Sequence, residues 1–99
     1  MTVQNERQLE LHWERALTLG ECVDALHTFQ PLVAKALAPG VTLQCSLASW
    51  RQVDTSALTV LLALRRQALE ARATIRFLHS PPTLKSLAHM SQVDALLNL

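Results

Sequence analysis

An α/β fold is predicted for this chain of 99 residues, and three observations predict it. Short runs alternating apolar and polar residues recur at 9–13, 16–19, 41–47 and 73–78, as half-buried strands do. Longer runs with apolar residues every three or four positions lie at 24–38, 57–71 and 83–90, as amphipathic helices require. Breaker residues separate the two kinds, notably Pro39-Gly40 and Ser80-Pro81-Pro82. The order is β-β-α-β-α-β-α. The first two strands read as a hairpin, and each later strand is reached through a helix whose right-handed crossover makes the strands it joins parallel. The sheet expected is therefore mixed and four-stranded, with helices packed against it.

The elements follow in order. Leu9 to Trp13 alternates, Glu14-Arg15 is a short break, and Ala16 to Leu19 alternates again before Gly20. The turn between them has neither Gly nor Asn, the residues a tight hairpin favours. Leu26, Phe29, Val33 and Leu37 give the first helix its apolar face. Pro31 removes a backbone bond, so the regular part of that helix is expected to begin near Thr28, with Pro31 in its first turn. Val41, Leu43, Cys45 and Leu47 share one face of the next strand, and a loop carrying Trp50 and Arg51 follows. In the second helix Ala57, Leu61, Leu64 and Ala68 form the core stripe, with Val60 at one edge. Ile75 and Phe77 point inward from the last strand; Leu84, Leu87 and Ala88 do so from the third helix; and residues 94–99 add a further helical turn.

A chain of this size is expected to form one domain over 1–99, with 1–8 a loose N-terminal extension. It can bury one core and leaves little room for an enclosed active site. Apolar residues make up 49% and the net charge is +1. That balance argues against nucleic acid, which asks for a basic stripe. The charge is uneven: residues 1–48 carry −2 and residues 49–99 carry +3. The bias suits a protein partner with some acidic surface. Cys22 and Cys45 lie far apart, outside any Cys-x-x-Cys spacing, and read as small thiols in a reducing compartment. The N-terminus lacks the layout of a signal peptide, and no run approaches the ~20 apolar residues that span a bilayer. The location expected is cytosolic, with no direct membrane insertion.

Sites for chemistry are not legible. His12, His27, His79 and His89 are scattered, with no metal-binding spacing among them. Ser56 is not in a Gly-x-Ser-x-Gly elbow. With two Gly in the chain, a Gly-rich phosphate loop is excluded. The chain is therefore expected to be no enzyme and to carry no cofactor.

What stands out is the handover into the second helix, Val53-Asp54-Thr55-Ser56-Ala57-Leu58. Asp, Thr and Ser all cap helix N-termini by accepting bonds from free N–H groups. A hydroxyl at that place also suits a docking contact or a phosphate, because the free amides and the helix dipole favour an anion. Spacing alone leaves both open. The run Val53-Asp54-Thr55-Ser56-Ala57-Leu58 followed by Leu61-Leu62 resembles the signature of STAS domains, the family of bacterial anti-sigma factor antagonists. That signature has Asp, Ser or Thr, a small residue, usually Gly, then Leu at the start of the second helix. Residues 43–47 match the family's third strand, and the likeness extends more weakly over most of the chain. Within the family the chain looks most like the small STAS subunit of the Mla phospholipid-transport ABC complex, which has a Val-Asp-Thr-small-small-Leu run before a Leu-rich helix.

The resemblance implies a STAS-like fold with helices mainly on one face. It also implies a non-catalytic subunit that binds and regulates or stabilises the cytosolic ATPase of an inner-membrane ABC complex maintaining outer-membrane lipid asymmetry. The alternative it implies is an anti-sigma factor antagonist, whose partner kinase phosphorylates Thr55 and so breaks the complex. Ala57 where those antagonists usually have Gly, Ser46 where many have Asp or Asn, and Thr for the commoner Ser all depart from that second pattern. A methyl at Ala57 is expected to crowd a kinase. A stand-alone lipid or nucleotide binder finds no pocket motif. Thr55 matches the family's Ser/Thr position; Asp54, Ser56, Ala57 and Leu58 flank it. The helix wheel adds Leu62 and Leu69 as apolar anchors with Arg65 at their rim, and Arg51 lies in the preceding loop beside Trp50. A broad face packed under the third helix accounts for the same Leu residues equally well.

Overall fold

A computed structural model describes residues 6–97 and 99. Its elements are β1 (Glu6–Glu10), a single 3-10 turn (Leu19–Glu21), α1 (Cys22–Ala36), β2 (Thr42–Ser46), α2 (Ser56–Glu70), β3 (Thr74–Leu78), α3 (Pro82–Met90) and α4 (Asp94–Leu97). The fold is α/β. Among the described residues the sheet has three strands in the order β1-β2-β3, and both pairings are parallel.

The alternation within each strand explains the layering. Leu43 and Cys45 of β2, and Ile75 and Phe77 of β3, are buried on one face beneath α1 and α2. Thr42, Gln44 and Ser46 turn to the other face, beside exposed Thr74 and Arg76. Parallel sheets are usually covered on both faces and then read as continuous apolar runs. Here every second residue is polar, so one face is left to water. In α2 the expected stripe of Ala57, Leu61, Leu64 and Ala68 is buried, with Val60 beside it. In α3 Leu84 and Ala88 are buried and Leu87 is half-buried against the same core.

Three expectations need correction. The first is the hairpin, and with it the mixed four-stranded sheet. Residues 16–19 form no strand; Leu17 makes a single parallel bridge to Val53. The alternation there is real, since Leu11, Trp13 and Leu17 are all buried. The segment, however, runs on beside the chain leaving β2. Leu11 N–H donates to the Ser46 carbonyl at 3.0 Å and Leu17 N–H to the Gln52 carbonyl at 2.7 Å. Glu14-Arg15 lacks the positive-φ residues that would fold the chain back, so it continues forward instead.

The second concerns the N-terminus. Strand β1 lies over Glu6–Glu10 rather than 9–13, so Glu6, Arg7 and Gln8, assigned to a loose extension, open the first strand. Residues 1–5 of that extension lie outside the described residues.

The third is Pro31, which sits inside α1 with regular helix on both sides. The carbonyl it leaves without a donor belongs to His27, four residues back. Both residues are on the exposed face, where water can take the lost bond's place. Beyond α1, Gly40 turns the chain at φ 81°.

Helices α2 and α3 end alike. Ala73 N–H donates to the Ala68 carbonyl at 2.9 Å and Arg72 N–H to the Leu69 carbonyl at 3.0 Å, a Schellman closure. Val93 and Gln92 repeat it on Ala88 and His89. The left-handed position, usually Gly, is held by Arg72 at φ 59° and by Gln92 at φ 61°. After the second closure, His89 Nδ1 lies 3.1 Å from Asp94 Oδ2 and ties α3 to α4. That bond holds the Asp94 carboxyl below its ordinary range. Among the described residues no helix is long and apolar enough to cross a membrane.

Candidate docking site

The handover from β2 to α2 stands at the carboxyl ends of the parallel strands, the place where open α/β sheets gather their ligands. Its backbone is held from below by aromatic packing. Trp50 is buried, and its indole N–H donates to the Leu11 carbonyl at 2.7 Å. Trp13 N–H donates to Ser49 Oγ at 2.9 Å. Phe29 of α1 lies between the two indoles, stacked on Trp50 at 5.9 Å and edge-on to Trp13 at 5.6 Å. Arg15 covers the outer side of Trp13 at 4.5 Å and pairs with Glu21 at 3.4 Å. Trp50 therefore belongs to the core beneath the loop and not to the surface patch.

On this base the capping question resolves residue by residue. Asp54 is the cap: its Oδ1 accepts from Ser56 N–H at 2.8 Å. Asp54 and Thr55 carbonyls already accept from Ala57 and Leu58, at 3.0 and 3.1 Å. Thr55 follows with helical backbone angles (φ −62°, ψ −20°), and its side chain makes no capping bond. It is exposed. Because the neighbouring carboxylate satisfies the free amide, the Thr55 hydroxyl is left over at the positive end of a 15-residue helix.

The other sequence-selected residues divide. Arg51 is exposed, and Ser56 and Asp54 are half-buried, all near Thr55. Ala57 and Leu58 are buried in the core and offer a partner no surface. The methyl of Ala57 therefore packs inward and cannot crowd an approaching kinase, contrary to expectation. Leu62 is half-buried against the core. Arg65 lies ten residues along α2 from Thr55, about 15 Å at 1.5 Å per residue, and lines a separate notch with Leu69. One helix face thus carries two distinct surfaces, where the wheel suggested a single patch.

Two exposed aliphatics that follow the Leu17–Val53 bridge in the chain were not singled out by the sequence. The Leu17–Val53 bridge ties the chain just before the 3-10 turn to the loop just before α2. Leu19, 75% exposed, and Val23, 58% exposed, follow Leu17 on the 3-10 turn and the first turn of α1. Their signal was present only as an apolar pair at i and i+4 on the wrong side of the core stripe.

Neither thiol adds chemistry here. Burial pushes the Cys45 thiol up to about 12, so it stays protonated. Cys22 Sγ lies 3.4 Å from the Leu19 carbonyl. Ser46 Oγ accepts from Ala48 N–H at 3.3 Å, a local turn contact. Among the described residues no three His, Cys, Asp or Glu side chains cluster as metal ligands. No protein-family model matches the chain, and no curated protein matches it.

Proposed function

We propose that this chain is a non-catalytic docking module of the STAS type. In this proposal it binds and regulates the cytosolic ATPase of an inner-membrane phospholipid-transport ABC complex and reaches the membrane only through that partner. One observation carries the proposal. Thr55 is exposed at the start of α2 and free of the capping bond, which Asp54 makes in its place. Leu19 and Val23, exposed on the segment bridged to Val53, would add apolar contact area to such an interface. The α/β frame with one helix-covered sheet face and the Val53-to-Leu58 run support the family assignment. Regulation would follow from mass action: a subunit that prefers one conformation or assembly of the ATPase stabilises it by its difference in affinity.

The alternative is an anti-sigma factor antagonist switched by phosphorylation of Thr55. The exposed hydroxyl at a helix N-terminus favours it, and the inward methyl of Ala57 removes one objection to it. The carboxylate of Asp54, one residue away, opposes a second negative charge there.

Affinity purification of the chain from its native membranes distinguishes the two. Recovery of an ABC ATPase, lost on Leu19→Asp while the domain stays folded, supports the transport reading. Recovery of an anti-sigma kinase without an ABC ATPase replaces it with the alternative. In either case Thr55→Glu weakens partner binding by at least tenfold. Binding equal to the parent's would remove Thr55 from the interface.

A further inference from the structure

Strand β3 ends the sheet, and its backbone shows which groups face outward. Thr74 N–H donates to the Val41 carbonyl, and the Leu78 carbonyl accepts from Leu47 N–H. In a parallel ladder both polar groups of a residue point to the same side and successive residues alternate. Residues 74, 76 and 78 therefore face β2, and Ile75 and Phe77 turn their N–H and C=O to the free edge. Among the described residues neither makes a backbone bond there. An open strand edge is a template for another strand.

The ground beside this edge is prepared on the helical side. Helix α4 packs on α2 and α3 and reaches the start of β3. Between them lies a notch of about 250 Å³, lined by Leu69, Ile75, Ala95 and Leu96 with Arg65 and Thr74. Its walls carry Leu69, 56% exposed, and Leu96, 50% exposed. The helical layer thus extends past the last strand. Charge gives the occupant its sign. Arg65 stands in the notch, Arg72 precedes β3, and Arg76 lies on the open face of the strand. None of the three pairs with a carboxylate among the described residues.

We propose that the edge of β3 takes an extended acidic segment of a partner protein as an added strand, with one apolar side chain seated in the notch. Main-chain bonds to Ile75 and Phe77 would supply affinity, and the notch and arginines would supply selection. A second copy adding its own strand is the competing occupant. This surface is also distinct from the one at Thr55, fourteen residues away along α2, or about 20 Å.

The probe is a blocked seven-residue peptide alternating valine with glutamate, titrated into the isotopically labelled full chain. Amide exchange at Ile75 and Phe77 should slow by roughly tenfold or more at saturation, with Gln8 and Glu10 of β1 unaffected. Arg76→Glu should weaken binding at least tenfold, and a valine–lysine peptide should not bind. No slowing at Ile75 and Phe77, equal binding of the lysine peptide, or equal protection of β1 would each overturn the proposal. So would protection of β3 that appears with rising protein concentration alone, which would assign the edge to a second copy.

Discussion

Replacing Asp54 and Thr55 one at a time tests the division of labour at the start of α2. Asp54 accepts one bond, from Ser56 N–H at 2.8 Å, and sets a negative charge just before the first turn of the helix. Losing a capping acceptor costs about 1 kcal/mol. Losing the charge from the helix dipole costs about 0.5 kcal/mol more at a half-buried site. Asp54→Ala should therefore destabilise by about 1.5 kcal/mol, which for a chain of this length lowers Tm by about 6–12 °C. Asp54→Asn keeps an acceptor in place and should lose only the charge part, about 0.5 kcal/mol. Thr55→Ala removes an exposed side chain that makes no capping bond, so its effect should stay within about 0.5 kcal/mol. Urea unfolding followed by far-UV circular dichroism reads all three as midpoint shifts at constant slope. The reasoning fails if Thr55→Ala costs as much as Asp54→Ala. The hydroxyl would then be spent on the helix, and a docking role for it would lose its basis.

Further outcomes follow from other contacts. Trp50→Phe keeps a ring on Phe29 but removes the buried donor to the Leu11 carbonyl. It should cost about 1–3 kcal/mol, seen as a lower urea midpoint. Cys45 should make the fold alkali-sensitive: its thiol ionises near 9.0 when exposed and about 12 in place. The folded state then binds the extra proton, so stability is full below pH 9 and falls as pH rises towards 12. At pH 10 the loss relative to Cys45→Ala should be on the order of 1 kcal/mol, with no such pH-dependent difference at pH 7. Gln92→Gly relieves a side chain held at φ 61° and should raise stability by about 0.5–1 kcal/mol, measured as a higher Tm.

Hydrophobic periodicity carried most of the fold. The faces of α2, α3, β2 and β3 follow from which residues alternate or recur, because burial selects apolar side chains at those spacings whatever lies opposite. Trp13 and Leu17 show the limit of that rule. Their burial was legible, but their partner was not, since alternation looks the same whether a chain folds back as a hairpin or runs forward beside another loop. Pro31 shows a second limit. Its cost depends on whether the freed carbonyl can meet water, and that depends on which side of α1 the rest of the molecule leaves open.

At the candidate site, Asp54, Thr55 and Ser56 are all capping types, and the residues alone marked the place. Which of them caps was decided by one 2.8 Å contact. Leu17 met Val53 through a bridge between segments 36 residues apart, which alternation alone did not reveal. Arg65 and Leu69 left the Thr55 group because a helix separates residues along its axis even when a wheel projects them onto one face. Local chemistry is written residue by residue and survives without the rest of the chain. Neighbourhood is a property of the folded path, and only the tertiary structure supplies it.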